Sequence, residues 1–143
     1  MLYLATRDEQ PLQKSAELTV EPLAAKADAV RQWFSLPVIR FVGAYTGCSC
    51  GFKSIIAEQP IACEEDTLLY PADEDELASL RSLIALIQRH VAATGEVEMY
   101  PVWNGEESLA PKGTIELLVD QMDPRRFFFN ERFFYRVSSA VSR

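Results

Sequence analysis

Gly47-Cys48-Ser49-Cys50-Gly51 gathers two thiols, one residue apart, between two glycines, with Gly43 just upstream and Lys53 just downstream. Three chemistries could be built there. A redox pair needs β-carbons near 4 Å, and a single intervening residue strains the ring that a disulfide would close, so such a bond would be easily reduced. Thioredoxin-like motifs separate their cysteines by two residues and begin a helix at that point; this segment does neither. A metal is the second chemistry. Cys48, Cys50, Cys63 and His90 supply four soft or borderline ligands, enough in number for tetrahedral zinc, although the spacing is not that of a zinc knuckle. The third is an anion or nucleotide loop. Lys53 and Ser54 stand where G-x-x-x-x-G-K-[ST] requires relative to Gly47, but the second glycine is replaced by Phe52, which excludes a P-loop and leaves a looser nest of amides. Beside all three stands the plain alternative that the glycines serve a tight connection and the thiols fill space. Ligand-binding candidates are therefore Gly43, Gly47, Cys48, Ser49, Cys50, Gly51 and Lys53.

The elements around this loop must hold it. Val38-Ile39-Arg40-Phe41-Val42 is β-branched and aromatic between Pro37 and Gly43, which predicts an interior strand running into the loop. Met1 to Thr6 and Leu18 to Val20 read as strands, and Ala24 to Phe34 as a short helix stopped by Pro37. Asp73 followed by Glu76 forms a capping box, and Leu77, Leu80, Ile84, Ile87 and Val91 recur at helical spacing up to Gly95. His90 falls at the margin of that stripe, where a satisfied boundary histidine is the ordinary case. Ser54 to Ala57 could add a brief strand. Glu96 to Trp103 reads as a strand whose Pro101 implies an edge or a bulge. Thr114 to Asp120 reads as its partner in a long-looped hairpin, and Arg132 to Val137 as a last strand. The run from Pro124 to Arg136 interleaves Phe and Arg, a pattern of single-strand nucleic-acid binders. The better reading is core-filling rings rimmed by Arg stems, with Trp103 also capping the core.

The expected fold is α+β: a mainly antiparallel sheet of about five strands packed on one long helix, in a single domain spanning residues 1–143. Hydrophobic residues make up 48% and charged residues 24% of the chain, which argues against disorder. No apolar run has the length of a membrane span, and Arg7, Asp8 and Glu9 interrupt what would be a signal peptide, so the expectation is a cytoplasmic chain with reduced thiols.

The formal net charge is −7. Glu64, Glu65, Asp66, Asp73, Glu74, Asp75 and Glu76 account for all of it, with no Lys or Arg among them. Such a surface disfavours nucleic acid and could dock a basic partner protein, although at least four of these carboxylates also suit a helix start. No catalytic motif is complete. The expected function is a non-enzymatic binding or regulatory module engaging a protein or small ligand, without a cofactor. The alternative is a small thiol- or metal-dependent protein, with zinc as the metal, acting through Cys48 and Cys50.

Phe41-Val42-Gly43, Gly47 to Phe52, Tyr100 to Gly105 and Phe128 to Glu131 together resemble a group of short uncharacterised bacterial proteins marked by a Gly-Cys-x-Cys-Gly-Phe loop. The resemblance spans roughly residues 36 to 137. It implies no catalytic role, cofactor or partner.

Overall fold

In the computed structural model, which describes residues 1–52, 55–56, 74–124, 127 and 129–139, the strand β1 (Leu2–Thr6) is buried along its whole length. Its side chains alternate between two apolar clusters. Leu2 and Leu4 join one, and Tyr3 and Ala5 the other, as the period of two in a strand demands. β1 is flanked on both sides, by β4 (Val38–Gly43) and β6 (Glu96–Pro101), each antiparallel to it. Beyond β4 lie β3 (Thr19–Pro22) and the two-residue β2 (Gln13–Lys14); beyond β6 lie β9 (Phe133–Ser138) and β7 (Gly113–Leu118). The sheet thus has seven strands in the order β2-β3-β4-β1-β6-β9-β7. β5 (Ile55–Ile56) and β8 (Phe129–Asn130) pair separately and in parallel.

The α+β class, the antiparallel majority and the one long helix agree with the sequence reading, while the strands outnumber the expected five. The expected hairpin between β6 and β7 is not formed. β9 inserts between them, antiparallel to β6 and parallel to β7, so the 102–112 connection crosses over a strand. Nor is β6 an edge strand. Pro101 stands opposite Leu2, while the neighbouring pair, Met1 and Val102, exchanges both hydrogen bonds at 2.9 Å. Pro101 therefore occupies a position whose N–H would point away from β1, and pairing with β9 reaches only Met99, so the missing donor is not needed.

The helix α1 (Glu74–Thr94) covers one face of the sheet, burying Leu80, Leu83, Ile84, Leu86, Ile87 and Val91 against Leu2, Val42, Met99 and Val137. Each such side chain contributes about 1.5–3 kcal/mol on full burial. Gly95, at φ +98°, turns the chain out of the helix and donates its N–H to the Val91 carbonyl at 2.7 Å. Glu74, Asp75 and Glu76 form the first helical turn. Asp73 and the earlier part of the acidic block lie outside the described residues.

The opposite face is closed by a 3-10 segment, Ala25–Trp33, where the sequence predicts a short helix; its Ala27 and Val30 pack on Tyr3, Ile39 and Tyr100. The following turn is anchored by Glu98, which is 1% exposed. Its carboxylate accepts the N–H groups of Ser35 and Leu36 at 2.9 and 3.1 Å and the Ser35 hydroxyl, with Arg136 at 3.9 Å. The carboxyl-terminal rings enter the core as expected: Phe127, Phe129 and Tyr135 meet edge to face, with centroids 4.8 to 6.3 Å apart. No helix among the described residues is long and apolar enough to cross a membrane.

Candidate functional site

β4 and β6 both run antiparallel to β1, so their carboxyl ends share one end of the sheet with the start of β1. Leu2 marks that end, lying opposite Val42 on one side and Pro101 on the other. Three connections gather there: residues 44–52 after β4, residues 102–107 after β6, and the 131–132 turn that leads into β9, where the Arg132 N–H donates to the Pro101 carbonyl at 2.7 Å.

The first connection carries the thiols. Gly43 packs so closely that an added Cβ would lie 2.7 Å from both the Gly47 carbonyl oxygen and Thr19 Oγ1. Gly47 adopts φ +82°, a left-handed conformation that L side chains avoid. Gly51 is needed for space instead: a Cβ there would meet Thr46 Oγ1 at 2.8 Å. Between them Ser49 is fully buried. Its hydroxyl accepts the Leu2 N–H at 2.8 Å and donates to the Val42 carbonyl at 2.7 Å, tying the turn to the first residue of β1 and to β4. On the helix side, the Tyr45 N–H donates to Ser79 Oγ at 2.9 Å.

With Ser49 turned inward, the flanking cysteines turn outward. Cys48 is half-buried and Cys50 exposed, and both are free thiols. The Cys50 N–H donates to Cys48 Sγ at 3.2 Å, which makes Cys48 a sulfur cap on the 3-10 turn Ser49–Phe52. Such a contact strengthens as the sulfur gains negative charge. The hydrogen bond to the Cys48 sulfur is the leading influence on the Cys50 thiol, followed by desolvation and the charge of Cys48, and together they push it above its ordinary value. The loop backbone, by contrast, is spent on itself. The amides of Gly47, Cys48, Cys50 and Gly51 donate to the Ala44 carbonyl, Thr46 Oγ1, Cys48 Sγ and the Cys48 carbonyl. Those four amides are each engaged within the turn.

Around the thiols stand groups that the sequence reading did not select. Glu131 is 7% exposed and its Oε2 has no hydrogen-bond partner. Burial raises its carboxyl above the ordinary range, against the opposing pull of the Met1 amine and the Trp103 N–H. Glu107, also buried, accepts the Tyr3 hydroxyl at 2.8 Å and the Gly105 N–H at 2.9 Å. Burial lowers the Met1 amine, while the charges of Glu131, Cys48, Glu107 and Cys50 act in the opposite direction. Trp103, expected to cap the core, is 59% exposed at this same end. Nothing in its local pattern separates an exposed Trp from a buried one.

His90 is elsewhere. It lies eleven residues beyond Ser79 on α1, about 16 Å along the axis at 1.5 Å per residue. Its Nδ1 pairs with Asp8 Oδ1 at 2.8 Å, beyond the far end of β1. The structure therefore brings Cys48 and Cys50 together and leaves His90 at the opposite end of the sheet, a separation that also removes it as a base for either thiol. Lys53 and Cys63 lie outside the described residues. Among the described residues, no group of three or more His, Cys, Asp or Glu side chains could hold a metal ion.

Compared with known proteins, the chain matches no family model, no curated protein and no solved structure.

Proposed function

We propose that the chain is a non-enzymatic binding module whose working part is the dithiol turn 44–52, engaging a small sulfur-seeking ligand. The observation that carries this reading is the inverted Cys-Ser-Cys turn: the serine is buried as a clip between β1 and β4, and the free thiols flank it, Cys48 half-buried and Cys50 exposed, with the Cys50 N–H on Cys48 Sγ at 3.2 Å. A site held by a buried clip is preorganised, so little ordering entropy is lost on binding. Titration with an aromatic disulfide reagent tests it. In the Cys63→Ser protein, two thiols should react promptly in the native state. Reaction only after unfolding would remove the turn from the account.

The closeness of the two cysteines on one turn favours a second reading, thiol–disulfide exchange with a disulfide on another molecule. The Cys48 thiolate attacks one sulfur of that bond, which breaks and releases the second sulfur as thiolate. Cys50 then attacks the Cys48 sulfur, closing a Cys48–Cys50 bond and freeing the first partner sulfur. The pair loses two electrons, the partner disulfide gains them, and the two protons end on the released sulfurs. Glutathione disulfide should then leave a stable mixed disulfide on Cys48 in the Cys50→Ser protein. Its absence there would count against exchange.

A further inference from the structure

Resting on the binding reading above, we infer that Cys48 and Cys50 form a two-coordinate site for a soft monovalent d10 cation, with Cu(I) as the fitting ion. Thiolates select such ions over harder ones, and two sulfurs complete their coordination, whereas zinc asks for four ligands or three and a water. Among the described residues, Cys48 and Cys50 are free thiols and no group of three or more His, Cys, Asp or Glu side chains gathers that could hold a metal ion.

Three features of the turn favour the ion. Both cysteines are free thiols two residues apart on one tight turn, so no disulfide has to be opened before an ion binds. A bridging ion adds one atom to the ring that a direct bond would close across a single residue, and so relieves the strain of that bond. The Cys50 N–H is aimed at Cys48 Sγ at 3.2 Å, a donor that remains in place when the sulfur becomes a metal-bound thiolate. The buried clip on Ser49 leaves the flanking cysteines at the surface, so binding releases the two thiol protons to solvent and forms two sulfur–copper bonds without rebuilding the turn. Two thiolates and one Cu(I) sum to a single negative charge, which is tolerable at a site open to water.

The test uses the full reduced chain under anaerobic conditions, titrated with Cu(I) against a coloured Cu(I) chelator. One ion per chain should be withdrawn from the chelator, with thiolate-to-copper absorption in the ultraviolet. Cys63→Ser should leave the affinity within threefold. Cys48→Ser and Cys50→Ser should each weaken it at least 100-fold while keeping the melting temperature of the parent. Should either serine variant fail to fold, alkylation of the two native thiols in Cys63→Ser serves the same purpose and should abolish uptake. Uptake that survives both serine variants, or that disappears with Cys63, overturns the two-sulfur site. No uptake by a protein whose thiols react freely overturns this inference alone; unreactive native thiols would overturn the binding reading beneath it as well.

Discussion

Ser49 shows how one atom sets the chemistry of its neighbours. Its Oγ satisfies the Leu2 N–H and the Val42 carbonyl, both in the sheet interior. Ser49→Ala orphans both, at about 1–3 kcal/mol for each buried group. The urea midpoint should fall accordingly and the native thiols should lose their uniform reactivity; an unchanged midpoint would refute the clip. The glycines order themselves in a similar way. Gly47→Ala costs the left-handed penalty of about 1–2 kcal/mol. Gly43→Ala should cost more, because the Cβ would strike the backbone at Gly47, which has no side chain to rotate aside. Cys50 offers a pH readout. Its thiol is raised chiefly by the hydrogen bond to Cys48, so Cys48→Ala should move the alkylation profile of Cys50 toward lower pH. A profile that stays in place would show the two sulfurs to be uncoupled. Glu131 gives the opposite kind of test. A carboxyl raised on folding contributes stability below its unfolded value and loses it as pH rises through the folded one. Glu131→Gln should therefore gain melting temperature over the parent at pH 8, by a few degrees, with the gain vanishing toward pH 4.

At the scale of elements, the helix was readable because its information is local: the stripe from Leu77 to Val91 and the stop at Gly95 lie within one continuous stretch. Strands were readable as strands for the same reason. Their neighbours were not, because the order β4-β1-β6-β9 joins segments up to a hundred residues apart, and period-two alternation carries no partner identity. Hence the mistaken hairpin of β6 with β7 and the misplaced edge at Pro101. The site divides along the same line. The glycine-bracketed turn was legible from residue types within nine positions, although whether its thiols faced water or filled space was not, and Glu131 and Glu107 come to the same end of the sheet only through strand order. Glu98 belongs to this scale too, since it ties the turn at Ser35 to the middle of the sheet. Glu98→Gln removes charge from three hydrogen bonds and turns the oxygen that accepts the Ser35 hydroxyl, beside Arg136, into an amide donor. A loss of about 1.5–3 kcal/mol follows, measured by denaturant unfolding. A loss below 0.5 kcal/mol would mean the anchor is dispensable.

Across the whole molecule, the sheet has two chemically distinct ends. One holds the thiols, two buried carboxylates and an exposed Trp; the other holds the His90–Asp8 pair. The strand joining them is β1, placed between β4 and β6. During synthesis on a ribosome, β1 emerges before either of its neighbours, and the flank that β6 covers stays open until residues near 100 have been made. A chain built this way keeps one edge of a fully buried strand uncovered until β6 has been made. Its folding is then governed by the closure of long loops rather than by local contacts, which places it among slow folders. Refolding from denaturant should accordingly take milliseconds to seconds, and a nascent chain halted before β6 should be a client for holding chaperones rather than a protein with a finished dithiol turn.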